Sequence, residues 1–333
     1  MIDKIINDCL SMNINVDQES FTRLNSGLSN IVYLLESSNK VDKYIVKIFT
    51  KSKYINRNYE NNVMHILNKK KISPKIIIDN EDYRLEEFID GNTVNLKNMK
   101  IKSYSKILIN IAKKMFNVHN IKIHNFNFGY KENNIFLKIE TFFDILFNYE
   151  NYSKLNIYVD ELRSRLEKDK EKLNVRKTKG TSNEINYYNM GADYIVSNSL
   201  IHADLLGDNI LCTYESDIKF IDYEYCCVFS RGYDIGNFFN EFKGMDLESS
   251  YPDYDIRKLF YYSYFNTVNI YLPDQEKFNI FLKGVDDIVL IYSKISDLFW
   301  SLWSFVKYIE NNDNDFDYLE YALKRLKSYN ESN

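Results

Sequence analysis

Proline and glycine are scarce in this chain, with 3 and 10 among 333 residues. So few breakers favour long helices and make each remaining glycine a position to read. Cysteine is also sparse: Cys9, Cys212, Cys226 and Cys227 contain no C-x-x-C pair, and the two adjacent thiols are poorly placed to bridge each other. That pattern argues against a zinc ribbon and a disulfide framework and for reduced thiols. No run approaches the roughly 20 apolar residues that span a bilayer. The segment MIDKIINDCL carries early acids and no apolar core of a secretory signal. The expectation is a cytoplasmic protein without membrane insertion. Net charge is also small: Lys+Arg 43 against Asp+Glu 47 gives −4. Such a balance gives no global attraction to nucleic acid or anionic lipid.

What is present is ordinary globular material, 45% hydrophobic and 27% charged, with 28 Tyr and 22 Phe. A chain of this length can bury a large core and divide in two. Segments rich in Ile, Val and Tyr, at 30–36 and 44–49, read as strands joined by the polar turn SSNKVDK. Residues 58–69 read as a helix with Tyr59, Val63, Ile66 and Leu67 on one face. Extended segments follow at KIIID after Pro74 and at 84–89, where Asp90-Gly91-Asn92 signals a turn. Beyond it helix dominates: 103–118, much of 142–173, and 234–329. The polar stretch 168–184 reads as an exposed loop or helix end. A turn and two short strands interrupt the helices at 199–225. The expected class is α+β, with a β-rich lobe over 1–90, a hinge near 87–91 and a mainly helical lobe over 91–333.

The helical trend breaks at the most informative segment, IHADLLGDNIL, followed by KFIDYEY. His202, Asp204 and Asn209 form H-x-D-x-x-x-x-N, and Asp222 ends a strand-like run thirteen positions after Asn209. This is the layout of a phosphoryl-transfer site, as found in protein kinases. Asp204 is the candidate base for a substrate hydroxyl. Asn209 and Asp222 offer the hard oxygens that Mg²⁺ prefers. His202 braces the turn in this reading. Ser26-Gly27-Leu28-Ser29-Asn30 lies between two strands, and its amides and hydroxyls suit phosphates; taken alone it is a hairpin turn. Lys47 sits in a strand where it would meet phosphates, and Glu60 on the next helix would hold it by an ion pair. Glu87 to Ile89 would offer backbone to an adenine edge. Asn237 and Glu241 share a helix face, as do Trp300 and Trp303, the only tryptophans. A carboxylate with an aromatic wall suits an ammonium ligand, because a tryptophan face attracts cations by roughly 0.5–2 kcal/mol. Without the rest of the chain the tryptophan pair would read as helical core. His65, His119 and His124 have no partners at metal spacing and read as structural or surface residues.

RLNSGLSN, VKIF, RLEEFIDG, HADLLGDNIL, FIDYEY, RGYDIGNFFNEF and DLFWSLWSF together resemble the choline/ethanolamine kinase family, within the aminoglycoside-phosphotransferase and protein-kinase-like superfamily. The resemblance spans 23–329 and implies a two-lobed kinase-like fold. It implies ATP and Mg²⁺ as co-substrate and cofactor and a small amino alcohol as acceptor. By that similarity Asp204 is the base and Asn209 and Asp222 hold magnesium. Ser26, Gly27, Ser29, Asn30, Lys47, Glu60, Glu87 and Ile89 serve the nucleotide, and Glu241, Trp300 and Trp303 form the amino-alcohol pocket. NEFKG leans toward ethanolamine. The family also contains homodimers. Three positions depart from the family pattern: Ala203 stands where Asn is usual, Phe238 where His is common, and Ser26-Gly27 replaces paired glycines. Alternatives from the residues are another small-molecule phosphotransferase, such as an antibiotic kinase, or a silent nucleotide- or amino-alcohol-binding protein. A protein kinase fits less well, since no activation segment with an APE block follows Asp222.

Overall fold

The computed structural model describes residues 1–24, 30–50, 52–100, 105–122, 134–149, 159–266, 274–310 and 316–331. An N-terminal helix α1 (Ile2–Ser11) precedes a five-stranded antiparallel sheet: β1 (Phe21–Leu24), β2 (Asn30–Glu36), β3 (Lys43–Phe49), β4 (Ile76–Asp79) and β5 (Tyr83–Glu87), in the order β1-β2-β3-β5-β4. The predicted strands lie within this sheet. Alternation along β3 and β5 buries Val46 and Leu85, and α1 adds Ile5 and Cys9 to the same small core. Register sets Lys47 of β3 opposite Val32 of β2 on one side and Arg84 of β5 on the other.

Helix α2 (Arg57–Lys69) is capped by the Asn56 side chain on the Tyr59 amide. Its apolar face, Tyr59, Val63 and Leu67, belongs to the larger core. After β5 the chain crosses over. Gly91 is not merely a turn residue: it opens β6 (Gly91–Thr93), which pairs with β8 (Ile210–Thr213) of the motif segment. A Cβ on Gly91 would sit 2.9 Å from the Cys212 carbonyl oxygen, so glycine is needed for close backbone approach.

The larger region is built on α3 (Ser105–His119), α4 (Ile135–Phe147), α5 (Val159–Asn174), α6 (Ser182–Val196), α7 (Arg231–Asn240), α8 (Tyr254–Phe265), α9 (Gln275–Ile309) and α10 (Tyr318–Glu331). The stretch at 168–184 holds the end of helix α5, which continues to Asn174 and buries Asp169 and Leu173, then a mostly exposed connection and the Thr181–Glu184 capping box that starts α6. The 35-residue α9 packs against α4, α6, α7 and α10 and is buried along most of its length. Its apolar residues turn inward toward four neighbouring helices. At Gly284 and Gly191 an added Cβ would meet the opposite backbone at 2.1 Å, so glycines set the α6–α9 separation. No helix among the described residues is long and apolar enough to cross a membrane. Two small sheets carry the motif: β6-β8-β9, with β9 spanning Ile218–Phe220, and β7 (Asn198–Ile201) with β10 (Cys227–Ser230).

Candidate active site

The motif turn is held from behind. Residues 202–209 link β7 to β8, and Ala203 has φ +68°, while Asp222 after β9 has φ +66°. Left-handed backbone costs a non-glycine residue of order 1–3 kcal/mol and persists only where neighbours impose it. Asp234, at the start of α7, imposes it. Its two oxygens accept the His202 amide at 3.0 Å and the Ala203 amide at 2.7 Å. His119 donates from Nε2 to the same carboxylate at 3.0 Å, while its Nδ1 accepts from the Tyr264 hydroxyl at 2.6 Å. His202 donates from Nε2 to the Ile221 carbonyl and accepts the Asp204 amide on Nδ1. It therefore braces the catalytic turn against the residue preceding Asp222. Both histidines satisfy both ring nitrogens as neutral rings, and burial lowers their pKa below 6.5.

Asp204 and Asp222 border one cleft of about 470 Å³ between the sheet and the helices. Lys47, Asn30, Val32 and Ile45 line the sheet side; Asn209, Glu224, Tyr225, Glu241, Trp300, Trp303 and Tyr321 line the other. Asn209 donates its amide to the Asp204 carbonyl at 2.8 Å and to Asp204 Oδ2 at 3.2 Å, so its oxygen remains for a ligand. Lys47 donates to Asp222 Oδ1 at 3.0 Å. Burial opposes charge on both partners, but the attraction wins: Asp222 is held below the usual carboxylate range and Lys47 is raised. Asp204 behaves oppositely. Burial pushes its carboxyl well above the usual value, and Asp222, Glu224 and Glu241 add repulsion. Two carboxylates with opposite shifts in one cleft are the signature of distinct acid-base and electrostatic roles.

The expected Lys47–Glu60 ion pair is not formed. Glu60 is claimed by Arg84 at 2.6 Å and Arg57 at 2.9 Å, and Lys47 has Asp222 as its near partner. Arg57 and Asn30 both donate to Glu224, tying sheet, α2 and FIDYEY together. The amides of Glu87 and Phe88 donate to Lys75 and Lys43, and neither Glu87 nor Ile89 lines the cleft. Ser26, Gly27 and Ser29, like His124, lie outside the described residues. A larger cleft of about 740 Å³, between α2 and α4, contains none of the motif residues.

Glu241, Trp300 and Trp303 border the same cleft as Asp204 and Asp222. Trp300 donates from Nε1 to Asn237 Oδ1 at 2.7 Å, and Ser296 donates to the same oxygen at 2.8 Å. The Trp300 ring lies 5.5 Å from Trp303 and 5.2 Å from Tyr225, edge to face in both cases. Glu241 stands at the end of α7. Sequence reasoning missed four contributors: Glu224, Tyr225, Tyr321 and Asp234. The first two lie inside FIDYEY and Asp234 inside RGYDIGN, so their blocks were visible but their roles were not. Tyr321, eighty positions from Glu241, gave no local signal. Among the described residues no cluster of three His, Cys, Asp or Glu side chains forms a ready metal cage. Asn209 and Asp222 still fit Mg²⁺, which takes one or two protein oxygens and completes its octahedron with water and phosphate.

Residues 21–330 match the family model for choline/ethanolamine kinase. Human ethanolamine kinase 1 is 26% identical over 255 residues, 73% of this chain and 51% of that protein, so the match spans about half the relative's length. A Plasmodium vivax ethanolamine kinase structure aligns with TM-score 0.73 and 26% identity, covering 93% of this chain and 82% of that one. A Cryptosporidium parvum choline kinase structure aligns with TM-score 0.74 and 25% identity, covering 100% and 95%. With the motif turn, the cleft and the kinase-like two-part α+β architecture, the match over 21–330 means that this chain belongs to the choline/ethanolamine kinase family.

Proposed function

We propose that the protein transfers the γ-phosphoryl group of ATP to the hydroxyl of ethanolamine or choline, with ethanolamine favoured. The observation that carries this reading is the shared cleft: Asp204 borders it together with Lys47 and Asp222, the phosphate side in this reading, and with Glu241, Trp300 and Trp303, the acceptor side. In this reading residues 1–90 form the nucleotide-binding lobe and residues 91–333 the catalytic and substrate-binding lobe. NEFKG and the ethanolamine kinases among the relatives support the ethanolamine preference.

The acceptor oxygen attacks the γ-phosphorus as the bond to the bridging oxygen of ADP breaks, and Asp204 takes the hydroxyl proton. Its raised pKa makes it a better proton acceptor than an ordinary carboxylate. Lys47 exchanges Asp222 for phosphate oxygens when the nucleotide enters. Asn209 and Asp222 hold Mg²⁺, which when bound supplies positive charge against the transferring phosphoryl group. Glu241 accepts hydrogen bonds from the ammonium while the tryptophans enclose its methylene side.

Asp204→Asn tests the assignment. Turnover is expected to fall about 10²–10⁴-fold. The melting temperature is expected to hold or rise, because the variant removes a buried carboxyl crowded by three others. Retained turnover in a folded variant would remove Asp204 as the base.

A further inference from the structure

Arg325 lies on α10, is fully buried and lines no part of the cleft. Its guanidinium reaches three acceptors from separate elements: Nη2 donates to Glu241 Oε1 at 2.6 Å, Nη1 to Asp297 Oδ1 at 2.8 Å, and Nε to the Tyr321 hydroxyl at 2.9 Å. Two of these partners, Glu241 and Tyr321, form the acceptor wall. The third is a charge counterweight. Asp297 Oδ2 accepts from Lys243 at 2.8 Å and from the Ser328 hydroxyl at 2.7 Å. The group thus holds two carboxylates and two cations, balanced away from water.

We propose that Arg325 is a positioning residue of the acceptor pocket, whose fork fixes Glu241 and Tyr321 and thereby selects an ammonium that can donate hydrogen bonds. The inference rests on the amino-alcohol reading above. With Oε1 committed to Arg325, Glu241 has its second oxygen left for a ligand of the cleft it borders. A primary ammonium donates to that oxygen; a quaternary ammonium has no N–H and relies on the aromatic faces. Fixing the carboxylate therefore benefits the first ligand more. A lysine keeps the charge but has one compact head in place of a planar fork, so it cannot reproduce three divergent bonds.

The test compares wild type, Arg325→Lys and the charge-balanced pair Arg325→Met with Asp297→Asn, each followed by thermal melting and by kinetics with ethanolamine, choline and ATP. The pair keeps the assay available where a single change disrupts folding. The expected result is a loss in kcat/KM for ethanolamine on the order of 10-fold or more, carried mainly by KM. The loss for choline is expected to be clearly smaller, and KM for ATP to stay within about twofold, so the ethanolamine-to-choline ratio falls. Equal losses for both alcohols, or a parallel rise in the ATP KM, would make Arg325 a packing residue and overturn the inference. A wild-type enzyme that phosphorylates neither alcohol would instead remove the underlying reading, irrespective of the variants.

Discussion

Ala203 illustrates how much one residue can hide. Its identity gave no hint that its backbone occupies the left-handed region, where asparagine is better tolerated than alanine. Nor did the sequence connect it to Asp234, thirty-one positions away, which accepts its amide. That carboxylate also holds His202 and His119, so removing it strands several buried polar groups at once. Asp234→Ala is therefore expected to cost about 1–3 kcal/mol of stability for each buried donor it strands. It should also lower turnover by freeing the 202–204 turn. Urea unfolding monitored by circular dichroism checks the first effect; an unchanged midpoint would remove Asp234 as the anchor. The Lys47–Glu60 expectation failed for a related reason. Local order suggested the pair, but Glu60 is taken by Arg57, one turn away on the same helix, and by Arg84, which only folding brings there.

Elements were more legible than contacts. Helical spacing anticipated α2 and α3 within a few residues, because one-sided apolar patterns require a core on that side. Helix α1 and the β7–β10 pair escaped notice. Their segments are short, and β7 and β10 pair across some thirty residues that contain the whole motif. In α9 the spacing of Trp300 and Trp303 was visible, but their surroundings were not: Asn237 fixes one indole, and Lys307 places its ammonium 5.9 Å from the ring of the other. Trp303→Leu and Trp300→Leu keep an apolar side chain, at reduced volume, and remove the aromatic face. Each is expected to raise the amino-alcohol KM by about 2–30-fold while the ATP KM changes little. Steady-state kinetics with each substrate varied separately decides this, and equal changes in both constants would reduce the pair to core.

At the scale of the whole molecule, the buried titratable groups link stability to pH in opposing directions. His119 and His202 are neutral in the fold and are held below 6.5 by burial. Above that pH neither folded nor unfolded chain protonates them. As pH falls through 6.5 the unfolded chain binds protons that the fold refuses, and stability declines. Asp204 acts the other way: its folded pKa is raised, so the fold binds a proton where the unfolded chain has lost it. In Asp204→Asn that opposing contribution is gone while the histidine effect remains. Acidification from pH 7.5 to 5.5 is expected to lower the melting temperature of that variant more than that of wild type. Equal slopes would mean that Asp204 is not perturbed by its cleft.

The α+β order, a strand-rich region followed by a mainly helical one, was readable from the change in apolar patterning along the chain. The cleft between the parts was readable only through the motif order, because its walls come from β2, β3, the motif turn, α7, α9 and α10. The most direct measurement of the central claim is phosphoryl transfer from γ-labelled ATP by the wild-type protein to ethanolamine, choline and an aminoglycoside in parallel. The account predicts labelled phosphoethanolamine or phosphocholine, with the higher kcat/KM for ethanolamine, and no comparable transfer to the aminoglycoside. Transfer to the aminoglycoside alone, or ATP turnover indifferent to every acceptor, would contradict it.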